Sequence, residues 1–132
     1  MNSAVDSVVA LRGQPDAETQ ASKARILLVD DEPKSLFALQ ELLSTLEQNL
    51  MVAQSGEEAL RLALKTDSAV ILLDVRMPGM DGFETAQLIR NRERSRLTPI
   101  IFLTAAADEM NSMFRGYEVG AVDYLMKPVV PE

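Results

Sequence analysis

Three aspartates, one threonine and one lysine stand directly after short apolar runs in this chain. Asp30 and Asp31 follow Ile26–Val29, Asp74 follows Val70–Leu73, Thr104 follows Ile100–Leu103, and Lys127 follows Tyr124–Met126. Carboxylates are hard oxygen ligands of the kind Mg2+ accepts alongside water and phosphate oxygens. A carboxylate oxygen can also attack a phosphoryl group and store it as an acyl phosphate, which makes Asp74 the candidate nucleophile. Thr104 brings a hydroxyl able to donate to a phosphate oxygen, and Lys127 an ammonium that offsets charge on the transferred group. The Thr104 contact would exist only in the phosphorylated state, so it could draw the loop after its strand into a new position. Three carboxylates and one ammonium carry a formal charge of minus two, which one divalent cation cancels.

Each group alone has an ordinary structural reading. An Asp pair before a helix caps it, a Thr after a strand sits in a turn, and Lys127-Pro128 is turn material, although Pro128 is also placed to hold a cis peptide that aims Lys127 inward. Their recurrence at four strand ends argues for a site, because parallel strands bring their carboxyl ends to one edge of a sheet where ligands bind. The expected class is α/β: a three-layer, doubly wound, five-stranded parallel sheet with strands near 25–30, 50–54, 69–74, 99–104 and 122–126.

Helix signals fill the gaps between those strands. Pro33 suits the first turn of a helix, and Leu36, Leu39, Leu43 and Leu46 recur at helical spacing. Ser55 with Glu58 and Asp81 with Glu84 read as capping boxes, so helices should start near Gly56 and Gly82. A fourth helix is expected from about Asp108 to Val119, ending at Gly120, with Met110, Met113, Phe114 and Tyr117 on one face. Residues 1–22 read as a leader or linker and 23–132 as the folded domain, truncated at its C-terminal end because the closing fifth helix is absent after Lys127. A leader helix around Val5–Leu11 or a second copy of the chain, as a homodimer or domain swap, would then cover the apolar face left open.

Composition narrows the function. The chain has 132 residues, a net charge of -7 and no His or Cys. A chain this acidic is not expected to bind nucleic acid directly, since such binders neutralise phosphates with clustered Lys and Arg. Without His there is no Ser-His-Asp triad and no His-bearing zinc site, so any chemistry runs on carboxylates. No segment approaches a membrane span and no secretory leader is visible, so a cytoplasmic protein is expected. Arg90, Arg92, Arg94 and Arg96 form a basic run expected to complement a helix end and stay solvated.

The order of these motifs resembles the receiver domains of two-component response regulators over about residues 24–130. The resemblance rests on Ile-Leu-Leu-Val-Asp30-Asp31-Glu-Pro, Leu-Leu-Asp74-Val-Arg-Met-Pro78-Gly-Met-Asp81-Gly82, Leu-Thr104-Ala and Asp-Tyr124-Leu-Met-Lys127-Pro128. It implies a flavodoxin-like sheet of order 2-1-3-4-5, with Asp74 as phosphoacceptor. It further implies Mg2+ held by Asp30, Asp31, Asp74 and the backbone carbonyl of Arg76. Thr104 and Lys127 would bind the phosphoryl group, and Tyr124 would be the aromatic whose rotamer follows Thr104. Arg76 and Ala106 would lie where the family tunes hydrolysis of the aspartyl phosphate, and the surface around the fourth helix and strand five would face the output.

Such domains take the phosphoryl group from a phosphohistidine. A chain without His therefore implies a separate histidine kinase or histidine phosphotransfer protein as donor and a downstream output domain or protein. Two rivals remain in view. A phosphatase resembling haloacid dehalogenases would place its nucleophile first, within Asp-x-Asp, and its acidic pair last, the reverse of the order here. A receiver-like interaction domain independent of phosphate usually lacks an acidic or Lys position, and none is lacking.

Overall fold

The computed structural model describes residues 24–105 and 123–127. Five strands, β1 (Arg25–Val29), β2 (Asn49–Ala53), β3 (Val70–Asp74), β4 (Ile100–Ala105) and β5 (Asp123–Lys127), form one parallel sheet in the order β2-β1-β3-β4-β5. Among the described residues three α-helices lie between them: α1 (Pro33–Leu43), α2 (Gly56–Lys65) and α3 (Gly82–Arg90). The α/β class and strand order are therefore those expected. The expected fourth helix, the leader and the segment after Lys127 fall outside the described residues.

Alternation along each strand builds two cores. Leu27, Val29, Ile71, Leu73, Ile100 and Phe102 face α2 and α3, packing with Ala59, Phe83, Ala86 and Ile89. Ile26, Leu28, Val70, Leu72, Ile101 and Leu103 point to the other face, with Leu36, Leu39 and Leu43 of α1. Strands covered on both faces read as continuous apolar runs, which is why β3 is buried at every position. Register fixes the edge: Val29 pairs with Ala53 and Leu73, and Asp74 pairs with Leu103. The order reverses between β1 and β3, so the chain leaves these neighbouring strands toward opposite faces and a crevice opens at their carboxyl ends.

Local differences from the expected elements have local causes. The leucine stripe continues to Leu46, but α1 stops at Leu43; Ser44–Leu46 tighten into a 3-10 turn that still buries Leu46. Glu47 then ends the turn with φ of 56° in the left-handed region. Asp81 and Glu84 form the complete capping box. At α2 only half forms, because Ser55 accepts the Glu58 N–H while the Glu58 carboxylate reaches one residue further, to the Gln54 N–H at 2.8 Å.

One arginine of the basic run is less solvated than expected. Arg90 is partly buried and donates to the carbonyls of Arg96 at 3.2 Å and Thr98 at 2.5 Å, and desolvation lowers its pKa from the usual arginine value. Arg94 reaches across to α2, donating to Asp67 at 2.7 Å and to the Leu64 carbonyl at 2.9 Å. Two of the four arginines therefore tie down the α3–β4 loop.

Candidate functional site at the carboxyl edge of the sheet

The backbone of Asp30 is held before its side chain can be considered. Its N–H donates to the Ala53 carbonyl at 3.1 Å, carrying the β1–β2 ladder one residue past the strand. Its Oδ1 accepts the Glu32 N–H at 3.0 Å, which turns the chain toward Pro33 at the head of α1. Asp30 is fully buried, whereas Asp31 is exposed. Asp74, the last residue of β3, is 3% exposed.

These three residues each bring one carboxylate oxygen to within 4.8 Å of the other two. Three hard oxygens in that space suit Mg2+ and fit a thiolate- or imidazole-seeking metal poorly. Octahedral Mg2+ spans at most about 4.2 Å between ligands, so a spread of 4.8 Å calls for a small inward movement or an intervening water. The donor set thus fits the expected cation in chemistry and in scale.

A cleft of about 410 Å³ lies over this cluster, lined by Asp31, Asp74, Arg76, Thr104 and the rim residues Glu32 and Pro33. Thr104 is 2% exposed and lies within β4, so the sheet fixes its place beside the cluster. Arg76 follows Asp74 by two residues, is exposed, and belongs to a loop that turns at Gly79 with φ of 74°. Asp30, Asp31, Asp74, Arg76 and Thr104 are therefore gathered as expected.

Tyr124 lies in β5 opposite Phe102, their ring centroids 5.8 Å apart, with Phe83 of α3 4.9 Å from Phe102 on the other side. This row of rings links β5 to α3 across the sheet. Lys127 closes β5 opposite Ala105, next to Thr104 along the edge; its side chain, Ala106 and Pro128 fall outside the described residues. Glu32 is the site residue that the sequence reading passed over. It lines the cleft, and its carboxylate accepts the Ser35 hydroxyl at 2.7 Å; its place between Asp31 and Pro33 is the only signal it leaves in the sequence.

Comparison with known proteins agrees with this geometry. A family model described as the response regulator receiver domain matches residues 26–132. The transcriptional regulatory protein ResD of Bacillus subtilis is 38% identical over 112 residues, covering 85% of this chain and 45% of ResD. The transcriptional regulatory protein SrrA of Staphylococcus aureus is 41% identical over 106 residues, covering 80% of this chain and 42% of SrrA. This chain thus spans less than half the length of either relative. Among solved structures, the Vibrio cholerae chemotaxis protein CheY4 superposes with a TM-score of 0.76 at 34% identity, over 83% of this chain and 91% of CheY4. Motif order, sheet topology and these matches agree: the chain belongs to the receiver domains of response regulators.

Proposed function

We propose that this receiver accepts a phosphoryl group on Asp74 from a phosphohistidine on a histidine kinase or histidine phosphotransfer protein. The observation that carries the reading is the convergence of the Asp30, Asp31 and Asp74 oxygens beneath a cleft that Thr104 also lines. An oxygen of Asp74 forms the new O–P bond while the donor's P–N bond breaks, its electron pair returning to the imidazole nitrogen. Asp74 is buried at the end of β3, so its carboxylate meets the donor from a position set by the sheet. Mg2+, held by Asp30, Asp31, Asp74 and the Arg76 carbonyl, would neutralise the phosphoryl oxygens when bound. Lys127, at the next strand end, is the cation for the remaining charge.

Thr104 then carries the signal. Its hydroxyl donates to a phosphoryl oxygen, drawing the end of β4 toward Asp74, and Tyr124 repacks against that movement. The acceptor's role is regulatory, with attack of water on the aspartyl phosphate resetting the switch. The names of ResD and SrrA as transcriptional regulatory proteins support an output domain or protein as the downstream partner. In this reading residues 1–22 are a leader to the receiver unit. Thr104→Ala separates acceptance from signalling. It should label with a phosphohistidine donor and Mg2+ yet leave the amide spectrum around Tyr124 unmoved; a wild-type spectral response in this variant would refute the switch.

A further inference from the structure

Gly82, the first residue of α3, is buried, and what lies against it is backbone. A Cβ there would stand 2.9 Å from Val75 Cα and 3.0 Å from the Asp74 carbonyl carbon, and closer still to the Asp74 carbonyl oxygen. None of these atoms can rotate away as a side chain would. Among the described residues Gly79 is the glycine with positive φ, so the need for glycine at 82 comes from close approach and not from backbone conformation.

The contact closes a loop. The Gly82 N–H donates to the Val75 carbonyl at 2.9 Å, so residues 75–82 leave the sheet and return to Val75. The Val75 N–H donates to the Leu103 carbonyl at 3.0 Å, fixing the Asp74–Val75 peptide to β4. The capping box prevents α3 from sliding, with Asp81 accepting the Glu84 N–H and Glu84 accepting the Asp81 N–H, both at 2.9 Å. The Asp74–Val75 peptide is thereby clamped between β4 and the tip of α3.

Magnitude decides whether the clamp matters to the site. Contacts below 3.0 Å are not tolerated by real Cβ atoms, so a methyl at 82 displaces the peptide by roughly several tenths of an ångström or more. The Asp74 carboxylate hangs from that backbone and moves with it, whereas metal–ligand distances tolerate only about 0.2 Å.

We infer that Gly82 is a positioning residue for Asp74: its missing side chain lets α3 abut the Asp74–Val75 peptide and sets the carboxylate against Asp30 and Asp31. The inference rests on the proposed cation role of those three aspartates. Linkage makes it reciprocal, because a closure that positions a ligand residue is itself tightened when the ligand set is occupied. Gly56 supplies the control. It is also the buried first residue of a helix, α2, but its Cβ would meet side chains, Thr85 Oγ1 and Met80 Sδ, the latter at 2.9 Å.

The test is calorimetric titration of the whole chain with Mg2+ for wild type, Gly82→Ala and Gly56→Ala, each folded by circular dichroism. Gly82→Ala should weaken Mg2+ binding by about tenfold or more, the scale of losing support behind a ligand, while Gly56→Ala stays within about twofold of wild type despite lower stability. Equal affinities for wild type and Gly82→Ala, or equal losses in both variants, would overturn the inference. Should Gly82→Ala not fold, the wild-type Gly82 amide decides: saturating Mg2+ should slow its hydrogen exchange by at least about threefold, and an unchanged rate would be contrary. A wild-type chain that binds no Mg2+ brings down the cation reading and this inference with it. Wild-type binding with an indifferent Gly82→Ala brings down the inference alone.

Discussion

Asp30 and Asp31 are adjacent in the chain and opposite in exposure, the first sealed beneath the cleft and the second on its wall, while one oxygen of each lies within 4.8 Å of the other. Two like charges that close repel by about 1 kcal/mol even at the dielectric of water. With Asp74 as the third member, the cluster works against the fold until a cation occupies it. Asp31→Asn should therefore stabilise the metal-free protein by about 1 kcal/mol. Saturating Mg2+ should reverse the order, since a ligand at a hundredfold its Kd stabilises the wild type by about 2.7 kcal/mol. Urea unfolding midpoints with and without Mg2+ read both signs, and a variant less stable in the absence of Mg2+ would contradict the account.

The two engaged arginines should differ in weight. The Arg94–Asp67 pair is exposed, with side chains 48% and 75% accessible, so Arg94→Ala should cost under about 1 kcal/mol. Arg90 is partly buried and serves two carbonyls of the α3–β4 loop. Arg90→Met keeps the stem, removes the donors and should cost about 1–3 kcal/mol. Denaturant unfolding of the two variants side by side gives the ranking.

Glu47 occupies the left-handed region, which an L-residue enters at a cost of about 1 kcal/mol. Glu47→Gly should raise stability by roughly 0.5 kcal/mol, less than that cost because glycine adds entropy to the unfolded chain. Thermal unfolding measures it, and a lowered midpoint would show that the Glu47 side chain contributes more than its backbone strain removes.

The caps of α2 and α3 can be compared directly. Asp81 exchanges two hydrogen bonds with Glu84, whereas Ser55 makes one with Glu58. Asp81→Ala and Ser55→Ala should each cost about 1 kcal/mol. Glu84→Gln should cost little, because the amide oxygen still reaches the Asp81 N–H. Helix content followed through urea unfolding checks all three.

Much of this architecture was legible in the sequence because each strand contains a short apolar run with a polar group directly after it. A run such as Val70–Leu73 is too short for a helix and opens on two β-branched residues, which favours a strand covered on both faces. The order of strand-end residues then identified Asp30, Asp31, Asp74 and Thr104, and the sheet brings them to one edge. What the sequence concealed depends on contacts between distant residues. Glu32 was given no role, because neither its place on the cleft nor its bond to the Ser35 hydroxyl shows in the sequence. Arg90 looked solvated because its acceptors are backbone carbonyls, which carry no sequence signature. Gly82 looked like the start of a helix, and only the fold shows the Asp74 peptide pressed against it. Leu46 kept the helical period while the chain had already tightened into a 3-10 turn, since burial fixes the side chain's position and not the hydrogen-bond pattern beneath it.

The claim on which the functional account turns is that Asp74 accepts the phosphoryl group. Intact-mass spectrometry of the chain incubated with acetyl phosphate and Mg2+ measures this directly. The account predicts one added phosphoryl group that depends on Mg2+, is released by hydroxylamine as an acyl phosphate must be, and is absent in Asp74→Asn. An equal adduct on Asp74→Asn, or no adduct on a wild-type chain shown to bind Mg2+, would contradict it.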